Sequence, residues 1–348
     1  MSERCLPPEW ARQSATLLVW PRADGDWGEG LTAARDSVQA MAAALARFQR
    51  VLVVAPDDEA ATDIATRQRA ETLPGTRLET LQLPADDIWA RDTGPITMQE
   101  AGRRVFVDFR FDGWGGRFDA AADDALTLAL YETGRLGAGD YRRSATVLEA
   151  GSIESNGQGA LLTTERCLIG AGRRNPGFER GHAETLLADT LGANIVHWLT
   201  RGDLIGDDTD GHIDTLARFV APDTIAYQGC SDPRDAHHGE LAAMAGELAA
   251  LRDAYGAPYK LIQLPLAAPQ YDRHDGHRLP AGYANFLIAN GCVLVPAFDD
   301  PADAEAAAII GRCFPDREII SIDSRALIRQ HGGLHCAAMQ IPHDRPHD

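Results

Sequence analysis

The chain has 348 residues, enough for two average domains or for one large closed α/β assembly. Hydrophobic residues make up 45% and charged ones 24%, as in a water-soluble chain with a sizeable core, and the longest apolar runs (TLLVW, VLVVA, CVLVPAF) are too short to span a bilayer. A net charge of −18 and a pI near 5.0 make nucleic acid and anionic membrane poor partners and favour a small cation, although acidity can also serve solubility alone.

In chain order, MSERCLPPEW opens without the apolar segment of a secretory signal. ATLLVWP is the first strand candidate, and a helix is predicted over 31–48, where Val38, Met41, Leu45 and Phe48 recur at helical spacing. RVLVVAP and a shorter helix over 58–70 follow, then RRVFVDF and a helix over 120–133. GALLTTERCLIG is expected as a strand, with a helix over 179–191 and the strands NIVHWL and ARFVAPDTIAY after it. A helix over 236–255 leads to KLIQLPL and ANFLIANGCVLVPAF, and a helix over 302–313 to REIISID. Long helices separated by strand groups suggest a repeated β-β-α-β-like unit, although no sequence repeat of fixed period accompanies it. No Pro/Gly/Ser linker divides the chain, so a single domain is expected over 1–341, with a polar tail over 342–348. Glycine gathers in FDGWGGRF, AGSIESNGQG and HGGLHC, each beside a strand, where loops carry function on a rigid scaffold.

The six cysteines, at 5, 167, 230, 292, 313 and 336, form no C-x-x-C and no close pair. That argues against a structural zinc site or a disulfide framework and for a reducing cytoplasm. The acidic stretch Gly206–Leu216 (GDDTDGHIDTL) imitates a calcium loop. Aligned on Gly211, however, it has Gly206 at the first ligand position and Ala217 at the last, and a strand pattern follows where a helix is needed. His182-Ala183-Glu184 imitates half of a zinc deaminase signature, but no P-C-x-x-C accompanies it. GAGRRN, at 170–175, lacks the third glycine of a dinucleotide loop.

Cys336 stands apart, because glycines in HGGLHCAAMQ leave room beside its sulfur. A free cysteine is more often a buried structural thiol, and Cys167, Cys292 and Cys313 look so. The adjacent His335 is a poor base for Cys336, since successive strand side chains point to opposite faces. A nucleophilic Cys336 needs a remote histidine, and His212 lies among carboxylates that should raise its pKa. ADDIWARDTGP arranges Asp86, Asp87, Trp89 and Asp92 around a turn, and LEAGSIESNG puts Glu149 before a glycine turn. Singly, each also reads as a solvated turn or cap. Jointly, carboxylates around a nucleophilic cysteine suit a cationic electrophile: a guanidinium gripped by paired carboxylates and covered by an indole.

These residues lie in ordered segments: PPEW, WPRADGDW, DDIWARDTGP, FDGWGG, EAGSIESNGQGALLTTERCL, RRNP, DDTDGHIDTLARF, ANFLIANGCVLVPAF and GGLHCAAMQIP. Over nearly its whole length the chain resembles the agmatine deiminase branch of the bacterial peptidyl-arginine deiminase-like family, among the guanidine-modifying (pentein) enzymes. The resemblance implies an α/β fold, a five-bladed pseudo-symmetric propeller with a central site. It implies Cys336 as nucleophile, His212 as general acid/base, Asp92 and Asp214 as guanidinium-binding carboxylates, and Glu149 as the acid that orients His212. Trp89 would line the substrate channel, with Asp86, Trp114 and Gly333 also at the substrate. Agmatine would be hydrolysed without metal or organic cofactor, in the cytoplasm, by a monomer or a homo-oligomer. Ala150, Arg173 and Gly333 depart from the usual pattern, and Gly333 lies nearest the nucleophile. The rival readings are a deiminase of peptidyl or free arginine, a Cys–His amidase or protease using Cys336, His212 and Glu149, and a non-enzymatic cation-binding protein.

Overall fold

The computed structural model describes residues 4–70, 77–170 and 175–344. The helix Leu31–Ala46 forms where apolar spacing predicts it, with Val38, Met41 and Leu45 turned fully inward. Burying each such side chain stabilises the fold by roughly 1.5–3 kcal/mol. The other predicted helices are Asp58–Arg69, Ala121–Glu132, Arg180–Leu191, His238–Ala250 and Ala302–Cys313. Among the described residues no helix is long and apolar enough to cross a membrane.

Among the described residues the strands form five sheets on one plan. In each, two strands pair antiparallel, and a helix then leads to a third strand parallel to the second. In the second sheet these are Ile96–Glu100, Arg103–Arg110 and Asp140–Val147. In the third they are Ile153–Ser155, Ala160–Thr164 and Ile195–Leu199. Ala217–Ala221, Thr224–Gln228 and Lys260–Leu264 form the fourth, and Leu287–Ala289, Cys292–Ala297 and Glu318–Asp323 the fifth. The first sheet takes its opening strand, Ala338–Pro342, from the end of the chain and pairs it with Gln13–Val19, which runs parallel to Arg50–Ala55. The β-β-α-β unit therefore recurs five times, with chain start and chain end sharing one sheet. Leu78–Gln82 adds to the first sheet and Arg4–Cys5 to the second.

Two expectations change. GALLTTERCLIG is not one strand: Thr164 closes Ala160–Thr164 and caps the helix Glu165–Ile169, its hydroxyl accepting from the Cys167 N–H at 3.3 Å. His343 and Asp344, expected in the tail, are tied to the body: the His343 N–H donates to the Arg12 carbonyl at 2.8 Å and Asp344 pairs with Arg104 at 2.6 Å. Arg173, most of GAGRRN and residues 345–348 lie outside the described residues.

Charges inside the core tie these units together. Arg218 is wholly buried, donating to Glu154 at 2.8 Å, to Glu9 at 2.7 Å and to the Phe286 carbonyl at 2.7 Å. Losing one partner of such a pair strands the other charge, at a cost of about 3–5 kcal/mol. Just before the opening strand of every unit lies a short turn, and these turns supply the site. Asp92 lies in Ala90–Thr93, Glu149 precedes the turn Ala150–Ser152, Asp214 lies in Ile213–Thr215, and Asn285 and Cys336 precede the last two opening strands.

Candidate active site

Cys336 ends the HGGLHC turn and is buried. The glycines before it allow close packing: a Cβ on Gly332 would lie 2.2 Å from the Trp89 ring, and one on Gly333 2.4 Å from Asn285 Oδ1. Asn285 braces the nucleophile, its amide nitrogen donating to the sulfur at 3.2 Å and to the Asp214 carbonyl at 3.3 Å. Its Oδ1 accepts from the backbone N–H groups of His335 at 2.9 Å and Cys336 at 3.3 Å. Burial, then the charges of Asp214 and Asp92, push the thiol well above its ordinary pKa, against hydrogen bonds from the Gly333 backbone and Asn285.

Asp92 accepts from the Trp114 indole N–H at 3.0 Å through Oδ2 and from the Gly151 N–H at 3.1 Å through Oδ1. Burial and the charges of Glu149 and Asp214 raise its carboxyl well above the usual range. Trp114 has φ +54°, a conformation a bulky residue seldom adopts, and its ring meets Phe111 and Phe118 edge-on at 4.9 and 5.7 Å. Asp214 Oδ2 accepts from His335 Nδ1 at 2.7 Å, while Oδ1 is buried without a hydrogen-bond partner. Burial alone would raise the Asp214 carboxyl, but the hydrogen bond and charge of His335, with His212 and Arg218, hold it below its ordinary value.

His212 Nδ1 lies 3.7 Å from Asp92 Oδ1, and Nε2 lies 3.9 Å from Glu149 Oε2. These groups close on the backbone of Gly151. A Cβ there would stand 2.5 Å from His212 Nδ1, 2.8 Å from Asp92 Oδ1 and 3.2 Å from Asp214 Oδ2. His212 and Asp214 stand on a 3-10 turn ahead of the strand, not on the strand. Asp207 shapes the loop before them, accepting from the Thr209 hydroxyl at 2.6 Å and the Gly211 N–H at 2.7 Å. Asp210, at φ +65°, pairs with Arg117 at 2.8 Å.

A cavity of about 260 Å³ runs from solvent to Cys336 between Trp89, Asp92, Trp114 and Phe118. Asp26, Asp87 and Asp208 also line it, as do Arg329 and His331. Burial, with the charges of Asp26 and Asp208, raises Asp87 to about 6. Two substrate-binding expectations are displaced. Asp86 accepts from the Ala122 N–H at 2.8 Å and the Asp123 N–H at 3.3 Å, so it caps a helix, and its neighbour Asp87 faces the cavity. Gly333 packs on Asn285 behind the nucleophile, while Gly332 lines the cavity. Cys336, Asp92, Trp89 and Trp114 meet at its inner end, and His212, Glu149 and Asp214 lie just behind, almost fully buried. Among the described residues two trios of metal-capable donors lie within 4.8 Å of one another, Glu149–Cys167–His212 inside and Asp272–Asp275–His277 at the surface. The first includes His212 and the glutamate expected to orient it.

The site was compared with known proteins. Residues 5–342 match the model of the Porphyromonas-type peptidyl-arginine deiminases. An agmatine deiminase of Pseudomonas putida is 35% identical over 97% of this chain and 95% of its own. A solved chain from Porphyromonas gingivalis is 44% identical, with a TM-score of 0.89, over 98% of this chain and 99% of that one. An agmatine deiminase of C. jejuni, a cysteine-to-serine variant solved with substrate bound, is 32% identical with a TM-score of 0.87, over 97% of this chain and 96% of that one. Fold, sequence and matched length agree, and the chain belongs to the Porphyromonas-type peptidyl-arginine deiminase family.

Proposed function

We propose that this protein hydrolyses agmatine to N-carbamoylputrescine and ammonia through a covalent intermediate on Cys336. The observation that carries the reading is the buried cluster of Cys336, His212, Glu149, Asp92 and Asp214, in which Asp214 Oδ1 lacks a hydrogen-bond donor. A guanidinium supplies such donors in a planar fork. We also infer that the five units stand as blades around this cluster in one domain, because the turns before four opening strands supply its members and the turn before the remaining one supplies Asn285, which braces Cys336.

The free thiol is held protonated by burial and by two neighbouring carboxylates. A bound guanidinium cancels those charges, which lowers the thiol pKa only when substrate is present. The thiol passes its proton to His212 as the sulfur attacks the central carbon, whose plane Asp92 and Asp214 fix. His212 gives that proton to the departing ammonia, leaving a thiouronium on Cys336. Water then adds to the same carbon as His212 takes one of its protons, and collapse releases the urea product; the second water proton passes to the leaving sulfur, restoring the thiol, and His212 sheds the first to solvent. Glu149 orients the imidazole.

The cavity mouth selects for the other end of the substrate. Asp26, Asp87 and Asp208 suit the primary ammonium of agmatine and oppose the carboxylate of arginine. Ammonia release from agmatine, free arginine and an arginyl peptide tests this. Agmatine is expected to lead in kcat/KM by about a hundredfold or more, about 3 kcal/mol of discrimination, and Asp87→Asn and Asp208→Asn should narrow the gap by raising KM. A peptide turned over as fast as agmatine overturns the substrate assignment.

A further inference from the structure

The proposed chemistry leaves one buried titratable residue beside the nucleophile unused. His335 is 1% exposed, and its ring lies between two carboxylates. Nδ1 stands 2.7 Å from Asp214 Oδ2, and Nε2 stands 2.5 Å from Glu9 Oε2. Ionised carboxylates only accept hydrogen bonds, so both contacts are hydrogen bonds only if both ring nitrogens carry protons. The surrounding charges agree. Glu9, Glu154 and Asp214 face the cations Arg91 and Arg218, with Glu9 joined to Arg218 at 2.7 Å and to Arg91 at 3.4 Å. His335 touches two of these three carboxylates, so an imidazolium at this place meets an anion at each ring nitrogen. Its backbone is held as well: Asn285 Oδ1 accepts its N–H at 2.9 Å, and its carbonyl accepts from Arg91 Nε at 3.3 Å.

We propose that His335 is a positioning residue, an imidazolium clamped between Glu9 and Asp214 that turns the free Oδ1 of Asp214 toward the guanidinium. Glu9, anchored by the Ile288 N–H at 2.6 Å and by Arg218, holds the rear of the ring. The front of the ring occupies Oδ2 of Asp214, which also lies 3.7 Å from the Cys336 sulfur. One carboxylate oxygen is thereby committed to the protein and the other kept for the ligand. The role of the free oxygen rests on the function proposed above; the double protonation does not.

Two variants separate the two ends of the ring. The amide of His335→Asn reaches about where Nδ1 stands and can still donate to Asp214. The amide of His335→Gln reaches about where Nε2 stands and serves Glu9 instead. The readout is the rate of Cys336 alkylation by 2-chloroacetamidine, an amidinium, divided by that of neutral iodoacetamide, with melting curves for both proteins. This ratio reports carboxylate alignment and cancels thiol reactivity. In H335N the ratio should stay within about threefold of native, and in H335Q it should fall tenfold or more. A ratio in H335Q equal to or above that in H335N overturns the proposal, whatever the melting temperatures. Histidine-selective ¹⁵N NMR of the native protein provides the second measurement. Both nitrogens of His335 should be protonated at neutral pH, and Glu9→Gln should remove one of those protons. A singly protonated ring in the native protein overturns the proposal even if neither position-335 variant folds. If the native protein does not prefer the amidinium reagent, the guanidinium reading fails instead, and the NMR result alone decides the clamp.

Discussion

Gly151 is the narrowest point of the site, and replacing it with alanine has a calculable consequence. Its φ lies outside the left-handed region, so alanine suffers no backbone strain there. The added methyl would sit 2.5 Å from His212 Nδ1 and 2.8 Å from Asp92 Oδ1, and comfortable contact needs about 3.5 Å. Both side chains must retreat by roughly 1 Å, the scale of misplacement that costs about a hundredfold in rate. One extra buried methyl in a filled interior also destabilises by about 1–3 kcal/mol. Gly151→Ala should therefore lose about two decades of kcat with a modest drop in melting temperature, read by ammonia release under saturating agmatine and by thermal denaturation. Because the Gly151 N–H that holds Asp92 survives the change, the loss should fall more on kcat than on KM. Turnover within threefold of native in a folded G151A protein would refute convergence on this glycine.

Trp114→Phe keeps the ring between Phe111 and Phe118 but deletes the 3.0 Å hydrogen bond to Asp92. A hydrogen bond to a charged group contributes roughly 1.5–3 kcal/mol, so kcat/KM should fall about ten- to a hundredfold with little change in melting temperature. Asp214→Asn should separate two properties: iodoacetamide should label Cys336 faster at neutral pH, because an anion that raises the thiol pKa is gone. Turnover should nonetheless drop by about a hundredfold or more, and slower labelling would contradict the electrostatics. Asp123 is buried, and that burial, with the charges of Asp87 and Asp86, raises its carboxyl to about 7 against hydrogen bonds from their N–H groups. The folded state therefore keeps a proton that the unfolded chain sheds near pH 4, and stability is lost as pH rises from about 4 to 7. Asp123→Asn should gain on the native protein across that window, by up to about 4 kcal/mol at roughly 1.4 kcal/mol per pH unit. A melting-temperature difference independent of pH would refute this.

The long helices and most middle strands were legible because their apolar residues recur at helical spacing or form short runs; Ile96–Glu100, a middle strand, was not among them. Asp140–Val147 was not, since only Val147 is buried and its mostly polar side chains leave no apolar run to read. Leu78–Gln82, an outer strand with two buried residues, escaped for the same reason. Cys336, His212, Glu149, Asp92 and Asp214 could be singled out because each is an ionisable residue beside a glycine turn. Asn285 sits in the apolar run ANFLIANG, where one asparagine carries no signal of bracing a thiol. Glu9 meets Arg218, Ile288 and His335 only through the fold, more than two hundred residues away in each case. Asp86 and Asp87 are neighbours of identical chemistry, and only the packing of the helix Ala121–Glu132 decides which one faces the cavity. His335 and Cys336 stand on the turn ahead of Ala338–Pro342, so strand alternation does not govern them, and the His335 ring faces Glu9 and Asp214 because the fold brings those carboxylates to it.

The central claim is a covalent bond between Cys336 and the guanidine carbon. Acid-quenching the protein within the first turnovers of agmatine, then peptide mapping by mass spectrometry, tests it directly. The account predicts an adduct equal to agmatine less ammonia on the peptide carrying Cys336, absent from the other five cysteines and from Cys336→Ala, which should release no ammonia. Continued ammonia release by Cys336→Ala, or an adduct on a different cysteine, would contradict it.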